Sequence, residues 1–174
     1  MFKRAGDGCV HMSGRDWLYR LIYRHGFRLA RLWWRLTHPP HSGALVMIWC
    51  QNKVLLVRTS YEQVWMAPGG GIKPGELPVN AAVREVYEEV GVKLNAAQLR
   101  PALVVEHYWN HRQDRVHFFE AQLSQPPAIR LDNREIVSAR FVTLAEAQTF
   151  DLGPHLRDFL QLKAAEAQAD HSLD

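Results

Sequence analysis

The sequence predicts an α/β domain carried behind a basic amphipathic helix. Short apolar runs bounded by turn residues alternate with helical stripes from Ser42 onward, and one further stripe before Thr37 has its arginines on one side. A chain of 174 residues, 47% apolar, supports one domain with its own core. The expected organisation is a leader over 1–13, a helix and proline linker over 14–41, the domain over 42–166 and a fraying tail over 167–174.

Residues 1–13 are small and polar without a period, and Met12 offers a second start. Between Asp16 and Leu36, residues Leu18, Leu21, Ile22, Leu29, Leu32, Trp33 and Leu36 keep helical spacing, against a stripe of Arg20, Arg24, Arg28, Arg31 and Arg35. Gly26 weakens this helix by up to ~1 kcal/mol relative to alanine. Thr37-His38-Pro39-Pro40-His41 ends it. The charge is uneven: residues 1–36 hold eight Lys/Arg against two Asp, the remainder 13 against 16. Three uses suit residues 16–36, in this order: docking on their own domain or a partner subunit, peripheral contact with an anionic membrane, and binding of nucleic-acid backbone. Each makes the helix an accessory to the active site.

In the domain, Gly43–Cys50 reads as a buried strand, Gln51-Asn52 as a tight turn and Lys53–Arg58 as the hairpin partner. Tyr61–Val64 is loop, and Trp65-Met66-Ala67-Pro68 leads into Gly69-Gly70-Gly71. Arg58, at a strand end, is a candidate for a substrate phosphate; a surface ion pair is its plainer use. Pro78 suits a first helical position and Gly91 a helix stop. Leu99–Trp109 and Arg115–Leu123 read as strands joined by a loop over Asn110–Asp114. His107, His111 and His117 have spacing that can hold zinc, but histidines spread by strand alternation over a half-wet surface explain them better. A further strand ends at Arg140-Phe141-Val142, Thr143–Glu146 has a capping-box pattern, and Pro154 opens a helix that presents Leu156, Phe159 and Leu160 to the sheet.

The chemistry concentrates between Gly70 and Val92. Glu85, Glu88 and Glu89 stand at i, i+3 and i+4 on the helix, where like charges destabilise it by a few tenths of a kcal/mol per pair, roughly. Val79, Ala82, Val83, Val86 and Val90 form a separate apolar face. A cation offsets that repulsion, and oxygen donors without cysteine suit Mg²⁺, with Mn²⁺ as a substitute. The glycines allow close approach of a bulky anion. A solvated acidic face is the plainer reading of Glu-x-x-Glu-Glu alone. The fixed offsets of Gly70, Glu76 and Arg84 argue against it.

Gly70-x5-Glu76-x7-Arg84-Glu85-Val-x-Glu88-Glu89-x-Gly91-Val92 resembles a complete Nudix box, the signature of the MutT-like Nudix hydrolases. The likeness in element order runs from Ser42 to Leu162. It implies an α/β/α sandwich around a mixed sheet, often as a homodimer. The resemblance also implies hydrolysis of a diphosphate bond in a nucleoside diphosphate linked to another group, such as a nucleoside triphosphate, ADP-ribose, a nucleotide sugar or an RNA 5′ end. Glu85, Glu88 and Glu89 would hold the ion, with Glu76 assisting through a water or a hydrogen bond and Arg84 fixing the carboxylates. Gly69, Gly70 and Gly71 would approach the substrate. Glu89 and then Glu135 are the candidate general bases, the latter because a Glu before a Phe and a helix start is similar to the family's outlying metal-site glutamate. Tyr108 stands near a tyrosine of the dinucleoside-polyphosphate members. Leu77 departs from the family's usual Thr or Ser, so the box helix lacks a hydroxyl cap worth about 1 kcal/mol. Two other readings stay open: a membrane-associated hydrolase of a lipid-type diphosphate, and a non-catalytic sensor, which the four retained box carboxylates argue against.

Cysteines Cys9 and Cys50 without a spacing motif point to a reducing compartment. With neither a membrane-length apolar run nor a secretory signal, the expected location is the cytoplasm, peripheral to the membrane if the helix touches lipid.

Overall fold

The computed structural model describes residues 14–171, with side chains for 16–163; the expected leader and the last three residues of the expected fraying tail lie outside the described residues. Helix α1 (Gly14–Thr37) precedes strands β1 (Pro40–Cys50), β2 (Lys53–Thr59), β3 (Trp65–Met66) and β4 (Gly69–Gly71). Helix α2 (Pro78–Val90), strands β5 (Arg100–Trp109), β6 (Arg112–Leu123) and β7 (Ile136–Val142), and helices α3 (Leu144–Ala147) and α4 (Pro154–His171) follow.

The sheet is mixed. Its main path runs β3-β2-β1-β6-β5, with β4 paired to β1 and β7 to β2. Strands β1 and β6 pair in parallel over their whole length, while the other pairings are antiparallel. Period-two alternation along the central strands explains their continuous apolar sequence, because both faces are covered. Ala44, Val46 and Ile48 of β1 pack towards α2 with Leu55, Val57, Phe119 and Ile136. Leu45 and Met47 point to the other side, where Leu156, Phe159 and Leu160 of α4 close the second core. This is the expected α/β/α sandwich.

Local chemistry sets most element ends. Gln51 and Asn52 both have positive φ (49° and 60°), as a two-residue type I′ hairpin turn requires. Asn110 and His111 repeat this geometry (49° and 64°). The hairpin therefore turns on two residues, and Arg112, Gln113 and Asp114, expected in the loop, belong to β6. Helix α2 starts at Pro78 behind an uncapped Leu77 and ends on Gly91 at φ 70°, whose N–H returns to the Tyr87 carbonyl. Thr143 and Glu146 form the expected capping box. Among the described residues no helix is long and apolar enough to cross a membrane.

Helix α1 docks on its own domain, the first of the uses expected of it, but not through its leucines. Its aromatic edge lies on the domain: Tyr23 stacks on Tyr61 at 6.4 Å between centroids, Phe27 meets Tyr61 at 4.6 Å, and Arg20 Nε donates to the Asn133 carbonyl at 2.8 Å. Apart from half-buried Leu21, the apolar stripe that defines the helix in sequence faces away, exposed.

Candidate active site

Glycine backbone and the second half of α2 meet under β1. Strand β4 pairs its glycines with Gly43, Ala44 and Leu45. Gly69 holds φ 140°, and a Cβ there would collide with the Ala44 carbonyl oxygen. At Gly70 a Cβ would stand 2.7 Å from the Glu85 carboxylate carbon. Gly69 must be glycine for the strand to lie this close to β1, whereas a side chain at Gly70 would displace the Glu85 carboxylate.

The helix distributes its three carboxylates unequally. Glu89 is buried at 8% exposure, and its Oε2 accepts the Gly69 N–H at 2.9 Å. Burial pushes its carboxyl well above the ordinary range, and the nearby Glu135, Glu85 and Asp132 add to the rise while the Gly69 N–H opposes it. Glu85 lines the same cavity and pairs with Arg84 Nη1. Glu88 is 56% exposed at its side chain, lies outside that cavity, and stands 3.7 Å from Arg84.

Arg84 ties the loop to the helix. Its Nε and Nη2 donate to Glu76 Oε1 and Oε2 at 2.9 and 2.8 Å, and Nη2 also reaches the Gly71 carbonyl at 3.1 Å. Glu76 further accepts the Lys73 N–H at 2.9 Å, and these hydrogen bonds, Arg84's first, lower its carboxyl to about 2. The bidentate partner of Arg84 is thus Glu76, with Glu85 and the more distant Glu88 on the helix beside it. Glu76 serves here as a brace.

Glu135 comes from the segment before β7 and reaches the cavity from outside the box. Asp132 caps that segment, its carboxylate accepting the N–H groups of Arg134, Glu135 and Ile136 at 3.3, 3.0 and 2.8 Å. Tyr61 donates its hydroxyl to Glu135 Oε1 at 2.6 Å. Burial raises the Glu135 carboxyl, the Tyr61 hydrogen bond lowers it, and Asp132, Glu85 and Glu88 raise it. Burial and then Glu135 push the Tyr61 phenol upward.

The cavity measures about 390 Å³. Its lining includes Glu62, Glu85, Glu89, Asp114 and Glu135, and among its described lining residues Arg112 is the one guanidinium. Arg112 lies 3.9 Å from the Trp34 ring centre, and its Nε stands 3.4 Å from Asp114 Oδ1. Asp114 also has His41 Nδ1 at 3.2 Å and His155 Nε2 at 3.7 Å, contacts that lack hydrogen-bond geometry and leave buried polar atoms at the cavity wall. Phe27 and Trp34 complete the wall from α1, so the helix is part of the site and not a mere accessory.

Two candidates fall elsewhere. Arg58 does not line the cavity; its neighbours Val57 and Thr59 do, and its guanidinium lies 5.5 Å from the Trp65 ring centre. Tyr108 is exposed and bonded to His38 at 2.6 Å. His107 pairs with Asp158 at 3.3 Å, and among the described residues no three histidine, cysteine or acidic side chains are grouped to hold zinc. Tyr61, Arg112, Asp132 and the α1 aromatics escaped sequence reading. Of these, Asp132 alone had a local signal, an Asx turn three residues before Glu135.

Glu85, Glu89 and Glu135 offer hard oxygen donors on one wall, with burial and mutual repulsion raising Glu89 and Glu135. That donor set fits a divalent cation. As the side chains stand, no three acidic, histidine or cysteine residues among those described are close enough to grip one ion, and Glu85 is turned to Arg84.

A model of the NUDIX domain family matches residues 39–163. The chain is 46% identical over 68 residues to diphosphoinositol polyphosphate phosphohydrolase 3-alpha of Mus musculus, a match covering 38% of each chain. It is 59% identical over 44 residues to diphosphoinositol polyphosphate phosphohydrolase 2 of Homo sapiens, covering 25% of this chain and 24% of the relative. The chain thus spans well under half of the curated relatives it matches. Its fold is similar to that of a C. elegans Ap4A hydrolase in a binary complex (TM-score 0.62, 22% identity, covering 74% of this chain and 98% of that one). It is also similar to a MutT NUDIX hydrolase from Burkholderia pseudomallei (TM-score 0.60, 21% identity, covering 70% and 96%).

Proposed function

The chain belongs to the Nudix family, and we propose that it is a divalent-metal-dependent pyrophosphohydrolase of a nucleoside diphosphate linked to another group. One observation carries this reading: Glu85, Glu89 and Glu135 share a cavity with the β4 glycines, while Arg84 holds the loop behind them.

Glu85 and Glu89 would hold a magnesium ion, with Glu135 from the facing segment and Glu88 on the outer rim. The ion would cancel charge on the diphosphate oxygens and acidify a water. Glu89 and, after it, Glu135 are the groups to take the proton from that water, because both carboxylates line the cavity where the diphosphate and its attacking water would lie. Tyr61 fixes the Glu135 carboxylate by its 2.6 Å hydrogen bond. Gly70, lacking a side chain, leaves the Glu85 carboxylate its place.

Arg112 is suited to a substrate phosphate beyond the cleaved bond, since Trp34 and Asp114 set its guanidinium at the wall. The lining also favours a nucleotide over the inositol polyphosphates in the relatives' names. A polyphosphorylated inositol needs many cations, whereas this cavity has one guanidinium among five carboxylates. Phe27, Trp34, Tyr61 and Trp109 instead offer planar surfaces for a base.

A panel of nucleoside triphosphates, ADP-ribose, dinucleoside polyphosphates, nucleotide sugars and diphosphoinositol polyphosphates, assayed with Mg²⁺ and Mn²⁺, tests the reading. Turnover of a nucleotide and none of the inositol is expected; the reverse preference would overturn the substrate class, and no turnover of any would overturn the activity. On the preferred substrate, Arg112→Ala should raise KM about 10- to 100-fold with a smaller change in kcat, as loss of a charge-assisted contact predicts. An unchanged KM would remove Arg112 from the substrate contacts.

A further inference from the structure

Helix α1 uses one edge to meet its own domain, through Arg20, Tyr23, Phe27 and Trp34. Its apolar stripe points outward. Leu18, Ile22, Leu29, Leu32, Trp33 and Leu36 are all exposed, Leu29 at 69%, Trp33 at 63% and Leu36 at 74%. At 3.6 residues per turn these six fall within a sector of about 100°. Arg24, Arg28 and Arg35 are exposed on the flank beside it, with Trp17. Six large apolar side chains in one sector, interrupted at His25 and Gly26, exceed the scattered exposed residues of an ordinary surface.

We propose that this face seats α1 on an anionic phospholipid bilayer, the helix lying in the plane of the interface. Leucines on one face with arginines on its flank are what an interfacial helix presents to acyl chains and to anionic headgroups respectively. Trp17 and Trp33 suit the boundary between the two. The charge separates this occupant from the alternatives. Asp16 is the one acidic residue of α1, and it faces Arg134 at 4.0 Å. A second copy packed antiparallel on the same stripe would bring arginine flank to arginine flank, and in either orientation neither helix offers a carboxylate to the other's arginines. Nucleic-acid backbone would neutralise the arginines and leave the leucines wet. An anionic bilayer satisfies both. The same helix supplies Phe27 and Trp34 to the cavity, so its outer face would rest on lipid while its inner face walls the active site.

Sedimentation of the full chain with vesicles of phosphatidylcholine, alone or mixed with phosphatidylglycerol, tests this. Binding to the mixed vesicles should be about tenfold or more stronger than to the neutral ones, and should fall as salt is raised. Leu29→Glu with Leu36→Glu, at positions that touch solvent, should reduce that binding about tenfold or more, with lipid-free hydrolysis and the melting temperature unchanged. Arg24→Ala with Arg28→Ala should remove the preference for anionic lipid. Glu88→Gln, expected to impair hydrolysis, should bind vesicles as the unaltered chain does, which keeps the lipid reading separable from the catalytic one. Indifference to anionic lipid, or undiminished binding by the double glutamate variant, would overturn the proposal. So would a dimer that this variant splits in the absence of vesicle binding, or binding of a single-stranded oligonucleotide by a chain that does not bind the vesicles.

Discussion

Glu89→Gln is expected to slow hydrolysis by about 10³-fold, from loss of a proton acceptor and an ion ligand together. The same change should raise the melting temperature of metal-free protein by about 2–4 °C, equivalent to about 1 kcal/mol. The two effects share a cause. Glu89 is 8% exposed and faces Glu85, Glu135 and Asp132, so without a cation its negative charge is a burden on the fold. Glutamine keeps the shape and the acceptor for the Gly69 N–H while removing the charge. The folded carboxyl is raised above its unfolded value, so the folded state holds its proton to higher pH than the unfolded chain does. The penalty is therefore present in full above the raised pKa and disappears as pH falls below the ordinary value of 4.5. The stabilisation by glutamine should follow the same course. Phosphate-release kinetics and calorimetry in EDTA measure the two arms. Near-normal turnover would remove Glu89 from the chemistry, and a lower melting temperature would mean that the buried carboxylate is already well satisfied.

Arg84→Ala should lower kcat/KM by about 10- to 100-fold, in the range seen when a partner of a metal ligand is lost. Arg84 joins three pieces of chain: Glu76 in the loop, the Gly71 carbonyl of β4, and Glu85 on α2. Without it, Glu85 loses its hold and the loop loses its anchor to the helix. Arg84→Lys should recover little, since an ammonium lacks the planar fork that reaches Glu76 with two nitrogens. Glu76→Gln should reproduce the defect in milder form if Glu76 acts as a brace. Kinetics at graded Mg²⁺ decide the point: a lysine variant with full activity would reduce Arg84 to a surface ion pair, and a larger loss of metal affinity in Glu76→Gln than in Arg84→Ala would make Glu76 a ligand.

Local spacing was legible from end to end of the domain. The box helix, its proline start and Gly91 stop, the Gln51-Asn52 turn and the Thr143–Glu146 capping box follow from interactions between near neighbours in sequence. Glu135 was legible through its place before Phe141 and a helix start, although nothing local joined it to Glu89. The Asn110–Asp114 segment was read as too long a loop, because polar residues at a strand end resemble loop residues. Asp114 is a buried charge that only its neighbours across the sheet explain.

The amino-acid order by itself determined the box, its acidic donors, the close glycine approach and the alternation that buries the central strands on both faces. The tertiary structure alone decided which carboxylates enter the cavity. Residues at i, i+3 and i+4 share one helical face, but the sheet covers Glu89, borders Glu85 and leaves Glu88 in solvent. It also decided that Tyr61 grips Glu135, 74 positions away, and that α1 offers aromatics to the cavity while turning its leucines out. The physical reason is common to all three. A periodic stripe records that a face is apolar or charged, whereas what that face meets depends on contacts between segments far apart in the chain, such as the β2–β7 and β1–β4 pairings that set Tyr61 beside Glu135 and Gly69 beside Glu89.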